Sequence, residues 1–190
     1  MANHPGPLHY LNAGLSGPGA RDALNWYDDV REGCELAAAE YGRTVKYVAS
    51  VVAVLSPRVH VSRNALLARA YLASGSTAGV LGSVRASLEN FEATGTIRGP
   101  KTRAFAAAIL GDSSAVVVDV WVQRALGGVW EAERMEGKRY DRAARVVRSL
   151  AGRVGVSPRE AQAALWYGVR AARPGDTPAT ARLRVDRAPL

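Results

Sequence analysis

Apolar residues recur at helical spacing along most of the chain. Between Ala20 and Tyr41 they lie three or four positions apart, at Leu24, Tyr27, Val30, Cys34, Ala37, Ala38 and Tyr41. This spacing predicts an amphipathic helix, with Gly42 as a suitable C-terminal cap. The next segment, TVKYVASVVAVLSP, is apolar nearly all round. It predicts a buried helix that ends before Pro57.

The same spacing predicts six further helices. Five of them cover residues 59–75, 78–95, 102–110, 120–126 and 139–154. The last begins at Ser157-Pro158-Arg159-Glu160, which matches a capping box with proline at the first helical position, and it ends near Pro174. No alternating strand pattern persists apart from the short run AVVV at residues 115–118. The predicted fold class is therefore all-α.

The two ends of the chain differ in composition from its middle. The N-terminal stretch MANHPGPLHYLNAGLSGPGA is rich in Gly and Pro, which predicts an irregular, flexible arm over residues 1–19. Residues 20–172 carry the periodic segments and are expected to form one helical domain. Residues 173–190 are basic and hold too few apolar side chains to pack, which predicts a mobile tail.

The charge balance favours a polyanionic partner. The chain has 25 basic and 17 acidic residues, a formal net charge of +8, and its only lysines are Lys46, Lys101 and Lys138. Nucleic acid is the first candidate and an anionic membrane surface the second, with biased composition as the alternative explanation. No apolar run approaches the roughly 18 residues that span a bilayer, and no signal-peptide pattern opens the chain. We therefore expect a cytoplasmic protein with no membrane segment.

Cysteine and histidine provide no metal-ligand pattern. Cys34 is the single cysteine, which excludes an internal disulfide framework and a four-cysteine metal or iron–sulfur site. His4, His9 and His60 are scattered along the chain. We expect neither a metal nor a cofactor, and the sequence leaves the oligomeric state open.

One carboxylate directly follows four apolar residues. Asp119 comes after Ala115–Val118 and before the helix predicted from Val120. Apolar neighbours raise the pKa of a carboxylate, whereas the N–H groups of a following helix favour its ionised form. Opposed influences of this kind suit an acid–base residue that works near neutral pH. The alternative is that Asp119 only caps the helix.

Three segments, in order, resemble the helix-hairpin-helix DNA glycosylase superfamily, the endonuclease III-like enzymes. They are VASVVAVLSPRVHVSRNALLA, then Gly99-Pro-Lys-Thr102 with Lys101 lying 18 positions before Asp119, then YDRAARVVRSLAGRVGVSPREAQAALWYGVRA. The resemblance covers roughly residues 44–172. Its most specific part is the spacing from Lys101 to Asp119 followed by Arg124. It implies a compact, two-lobed helical fold.

The chain departs from this family at the hairpin. It has Gly95-Thr-Ile-Arg-Gly99 where the family usually has Leu-Pro-Gly-Val-Gly, so Ile97 replaces a glycine. Glycine lets backbone N–H groups approach a DNA phosphate closely, which makes this hairpin a degenerate one. The region between Ser56 and Lys101 is also shorter by about a helix pair, and the iron–sulfur cysteines of some members are missing.

The resemblance implies a set of site residues. Asp119 would stabilise positive charge on the sugar or activate the attacking group, and Lys101 would be a Schiff-base nucleophile or, alternatively, a phosphate contact. Arg58 is the candidate, near Ser56 and Asn64, to fill the gap left by a flipped base. Trp121 is expected either to stack on that base or to lie in the core, where Trp166 and Tyr167 are also expected. The candidate phosphate ligands are Arg98, Gly99, Thr102, Arg103 and Arg124, the last of which has an acidic neighbour as its alternative partner.

Three functions remain open at this point. The first is an enzyme of duplex DNA that flips a nucleotide and cleaves its glycosidic bond, as a DNA glycosylase or AP lyase does. The second is a transferase like the phage relatives of this superfamily, joining an amine or amino acid to an activated hydroxymethyl-pyrimidine in DNA. The third is a non-catalytic helical domain that binds DNA or protein. The expected location is the cytoplasm of a bacterium or of a phage-infected host cell, and the sequence does not name the base.

Overall fold

The computed structural model describes residues 5–127 and 135–172. Within these ranges the chain forms nine α-helices and no strand. They are α1 (Pro7–Ser16), α2 (Ala20–Glu40), α3 (Val45–Leu55), α4 (Val61–Ser74), α5 (Gly82–Thr94), α6 (Pro100–Ile109), α7 (Val120–Ala125), α8 (Gly137–Val154) and α9 (Pro158–Ala171). The all-α prediction is confirmed for this part of the chain. The predicted tail, residues 173–190, lies outside the described residues.

Helix α1 corrects the prediction of an irregular arm over residues 1–19. Its packing against α9 explains why Gly14, one of the glycines that suggested a flexible arm, lies inside this helix. A Cβ on Gly14 would overlap the carbonyl group of Ala164, and a Cβ on Gly168 would overlap the carbonyl group of Tyr10. Glycine is required at this crossing because the two backbones lie too close for any side chain.

Most of the buried apolar side chains in the described ranges form two hydrophobic cores, and Ala23 and Tyr167 form a smaller separate cluster. The first core lies among α2, α3, α4, α5 and α6, and the second among α1, α7, α8 and α9. The segment 115–118 joins them, because Ala115 and Val117 belong to the first core while Val116 and Val118 belong to the second. Successive side chains of an extended segment point to opposite sides, so an uninterrupted apolar run serves both cores. The run ends at Asp119.

The capping box predicted at the start of the last helix is confirmed by its hydrogen bonds. The Ser157 hydroxyl accepts from the Glu160 N–H at 3.2 Å, and the Glu160 carboxylate accepts from the Ser157 N–H at 2.7 Å. This reciprocal pair satisfies two N–H groups that the helix would otherwise leave unpaired. None of the helices in the described ranges is long and apolar enough to span a bilayer.

Candidate functional site

A pocket of about 590 Å³ lies where side chains of the two cores meet. Ligand sites typically measure about 300 to 1,000 Å³. Its walls come from α2, the α3–α4 connection, α6, α7 and α9. Five of the residues predicted to act on DNA line it, namely Ser56, Arg58, Lys101, Asp119 and Trp121, and so do Asn64, Trp166 and Tyr167.

Asp119 caps α7 and lines this pocket at the same time. One of its carboxylate oxygens, Oδ1, accepts hydrogen bonds from the N–H groups of Trp121 at 3.0 Å and Val122 at 2.9 Å. The side chain of Trp166 also hydrogen-bonds to the carboxylate. The two roles considered from the sequence, helix cap and pocket carboxylate, therefore coexist in one residue.

The pKa of Asp119 is raised above its usual value of 3.8. Burial is the largest cause, since it disfavours the charged form. The positive charge of Lys101 and the hydrogen bonds from Val122, Trp121 and Trp166 act in the opposite direction and lower the pKa. The upward result makes Asp119 a better proton acceptor than an exposed aspartate.

Lys101 reaches the same pocket from the first turn of α6. It follows Pro100, the first residue of that helix, and its side chain is half-buried. Its ammonium group lies close enough to Asp119 to act on the pKa of that carboxylate. An amine and a carboxylate are thus available to one bound molecule.

Two tryptophan rings that line the pocket are stacked against guanidinium groups. The guanidinium carbon of Arg124 lies 4.7 Å from the ring centroid of Trp121. That of Arg170, a buried side chain, lies 5.5 Å from Trp121 and 4.4 Å from Trp166. Cation–π contacts contribute about 0.5 to 2 kcal/mol each, so they hold the two rings in place. Arg124, a candidate phosphate ligand, is stacked on Trp121 here and does not line the pocket.

The connection between α3 and α4 also lines the pocket. The Ser56 hydroxyl donates to the carbonyl of Ala53 at 2.8 Å, and the buried Asn64 amide donates to the carbonyl of Val52 at 3.1 Å. Both therefore hold the backbone of this elbow. Arg58 is exposed and has a φ of +62°, a left-handed conformation that non-glycine residues seldom adopt. Such strained positions cluster at functional sites.

The residues of the predicted hairpin lie at the N-terminus of α6, outside the pocket lining. Gly99 has a φ of +80° and caps the helix without a side-chain hydrogen bond. Arg98 and Arg103 are exposed, and Thr102 is half-buried. Ile97 packs against the first core. This packing is the physical reason for an apolar residue where the resembled hairpin has glycine.

Two buried polar residues of the pocket were not found from the sequence. The Tyr27 hydroxyl on α2 donates to Oε1 of Gln162 on α9, and both side chains line the pocket. Because Oε1 accepts this bond, the amide nitrogen is the group that Gln162 offers to a ligand. The pKa of Tyr27 is raised, first by burial and then by the charge of Asp119, so its hydroxyl remains a donor. Tyr27 belonged to an apolar helical stripe, which gave no hint of this pair.

Trp166 was expected in the core, where Tyr167 is indeed buried. Trp166 is instead half-buried, lines the pocket and hydrogen-bonds to Asp119. The tryptophan in the resembled C-terminal helix was the available signal. In the described ranges no three His, Cys, Asp or Glu side chains converge as metal ligands. The described pocket offers carboxylate, ammonium, amide and aromatic groups.

Comparison with known proteins identifies a family whose function is unknown. No curated protein and no solved structure matches the chain. One family model, DUF7178, described as a family of unknown function, matches residues 19–173 and so includes every residue of the pocket. The chain belongs to the DUF7178 family.

Proposed function

We propose that this protein binds duplex DNA and cleaves the glycosidic bond of a nucleotide flipped into the pocket, as a DNA glycosylase or AP lyase of the helix-hairpin-helix type does. The observation that carries the proposal is the meeting of Asp119 and Lys101 in one pocket. Their spacing in the sequence was the most specific part of the resemblance to the DNA glycosylase superfamily. Because both line one pocket, both can act on the same bound nucleotide.

The chemistry follows from these two side chains. Asp119 accepts a proton from the ammonium group of Lys101, which its raised pKa favours. The neutral amine then bonds to C1′ of the sugar while the bond from C1′ to the base breaks. The base leaves with the bonding electrons and takes the proton from Asp119. The carboxylate that remains stabilises the positive charge on the sugar–lysine adduct.

The rim residues serve the flipping step. Extruding a base costs a few kcal/mol, which a side chain inserted into the vacated stack offsets. Arg58 has the exposure and the pocket-edge position for this role. The backbone N–H groups after Gly99 and the side chains of Arg98 and Arg103 would bind phosphates beside the site.

A transferase on DNA is the second candidate. The raised pKa of Asp119 favours it too, because a carboxylate of this kind can deprotonate an incoming amine or amino acid. That amine would attack the activated hydroxymethyl carbon of a pyrimidine and displace pyrophosphate. In this case Lys101 binds anionic groups and forms no covalent bond.

One experiment separates these functions. Purified protein is given duplexes with damaged or abasic sites and, separately, DNA that carries pyrophosphorylated hydroxymethyluracil with candidate amines. Base release or strand cleavage supports excision, and a mass gain on the nucleoside supports transfer. Lys101→Ala should abolish borohydride-trapped attachment to DNA in the first case only. Inactivity on both substrates would contradict both enzymatic proposals and leave a non-catalytic domain.

Asp119→Asn is the key variant in either assay. Asparagine is an equally good helix cap, so the fold should persist while turnover falls by about 10² to 10⁴. Asp112→Asn is the matched control, since Asp112 is an exposed carboxylate in the turn before segment 115–118 and does not line the pocket. Its turnover should equal that of the wild type.

A further inference from the structure

Helix α8 concentrates positive charge. Its 18 residues include six basic side chains and one acidic one, a difference of +5. Helix α2 carries two basic and six acidic side chains, a difference of −4. The net charge of +8 is therefore not spread evenly by a biased composition. It is localised, and α8 is one of its centres.

The basic side chains of α8 form a stripe on its outer face. Lys138, Arg142, Arg145 and Arg153 are all exposed, and their spacing places them within one quadrant of the helix. The buried residues of α8 occupy the opposite side, where they pack in the second core. At a rise of about 1.5 Å per residue, the stripe is roughly 22 Å long. Within the described part of the chain, none of these four side chains forms an ion pair.

The stripe begins beside the pocket. Met135, two residues before α8, lines the pocket. In the first turn of α8, the Tyr140 hydroxyl donates to the carbonyl of Val116 at 2.7 Å and accepts from the N–H of Val118 at 3.4 Å. These bonds fix the start of α8 to the segment that ends at Asp119.

Charges on α6 and α8 also meet near this point. Arg103 of α6 and Arg148 of α8 both lower the pKa of Tyr140, so both lie within electrostatic reach of its hydroxyl. One exposed arginine of α6 and one exposed arginine of α8, which lies outside the four-residue stripe, therefore act on the same hydroxyl group.

We infer that the outer face of α8, defined by Lys138, Arg142, Arg145 and Arg153, binds the phosphate backbone of duplex DNA on one side of the pocket. Duplex DNA carries about one negative charge per 1.7 Å of its axis, so a row of cations this long meets several phosphates. Contacts of this kind position a protein on the duplex and carry no sequence information. The inference rests on the duplex partner of the proposed function and is independent of its chemistry.

The test compares two triple variants with the same change in net charge. Arg142→Gln/Arg145→Gln/Arg153→Gln removes three charges from the stripe. Arg21→Gln/Lys46→Gln/Arg85→Gln removes three exposed charges from α2, α3 and α5. Affinity for an unmodified duplex is measured at a series of salt concentrations, and circular dichroism checks that both variants fold.

The stripe variant should bind more weakly, and its slope of log affinity against log salt should be shallower by about 2 to 3, since each phosphate contact contributes about 0.9. The control variant should keep a slope near that of the wild type. Equal slopes for the two variants would overturn the inference. So would absence of duplex binding by the wild type, or a loss of affinity for phosphatidylserine vesicles with DNA affinity unchanged.

These outcomes differ from failure of the proposed chemistry. One outcome is a shallower salt dependence of DNA affinity for the stripe variant while the wild type turns over no substrate. That result would support the DNA-binding surface on α8 and contradict both enzymatic proposals. If turnover depends on Asp119 and the two triple variants have equal salt slopes, the catalytic proposal is supported and the DNA-binding surface on α8 is contradicted.

Discussion

Two features of the structure act in opposite directions on the ionisation of Asp119. As the cap of α7 it accepts two backbone hydrogen bonds, which favour its ionised form. As a pocket residue it is half-buried, and this burial favours its protonated form and outweighs the hydrogen bonds, so that its pKa is raised. The placement that makes Asp119 a proton acceptor therefore also makes its charged form costly to the fold.

This cost should be visible in the pH dependence of stability. In the unfolded chain Asp119 titrates near 3.8, and folding raises its pKa. Its favourable contribution is complete below the unfolded pKa and is lost as pH rises through the folded pKa. The free energy of unfolding of Asp119→Asn should therefore increase relative to the wild type as pH rises above the unfolded pKa, and it should level off above the folded pKa.

Asp112→Asn is the control with the opposite sign. Hydrogen bonds from the Ser114 side chain and backbone lower the pKa of Asp112, so its contribution is present above the unfolded pKa and is lost as pH falls through the folded pKa. Relative to the wild type, this variant should lose stability as pH rises from the acidic range. Urea unfolding at several pH values measures both. A pH-independent difference for Asp119→Asn would contradict the raised pKa.

At the scale of elements, the crossing of α1 and α9 gives a sharp comparison between two glycines. Gly168→Ala forces a Cβ into the carbonyl of Tyr10, and such overpacking costs about 1 to 3 kcal/mol or more. Gly152→Ala, in α8, meets nothing within 4 Å and should stabilise the protein by about 0.5 to 1 kcal/mol. Thermal unfolding measures both. Equal effects would mean that α1 does not pack on α9 as described.

The connection between α5 and α6 allows a second prediction at this scale. Gly99 has a φ of +80° and a ψ of 141°, a region nearly restricted to glycine, so Gly99→Ala should cost about 1 to 3 kcal/mol of stability. It should also weaken duplex binding, since the backbone N–H groups that follow would shift. Gly82→Ala is the control, because a Cβ there meets nothing within 4 Å. The prediction fails if both variants bind and unfold alike.

The elements that the sequence predicted are those with local signals. Segments such as Val45–Leu55 and Pro158–Ala171 carry their own apolar pattern and caps, so their helices followed from neighbouring residues. Helix α1 was missed because Gly14 counts as a breaker until its partner Gly168 is known. Asp119 was found because it directly follows four apolar residues, and Lys101 through the resemblance to the glycosylase superfamily. The bond from Tyr27 to Gln162 joins residues 135 positions apart, and no local pattern encodes it.

On the scale of the whole molecule, the pocket exists because two cores meet at one extended segment. Phe105 and Val117 line it from the first core, and Val118 lines it from the second. The carboxylate that ends the segment is thereby held between them. A change in the relative position of the two cores would alter every distance across the pocket, so the chemistry requires that they move as one body.

The described chain should therefore unfold in a single cooperative transition, despite its two cores. Val117→Ala removes a contact from the first core and Val118→Ala one from the second. Each should lower the free energy of unfolding by about 1 to 3 kcal/mol and shift the whole transition, by about 2 to 4 °C per kcal/mol. Val120→Ala, at an exposed position, should have little effect.

Far-ultraviolet circular dichroism and tryptophan fluorescence should give coincident unfolding curves, since the helices and the rings of Trp26 and Trp121 report on both cores. Two separate transitions, each moved by only one of the valine variants, would show that the cores unfold independently and that segment 115–118 does not couple them.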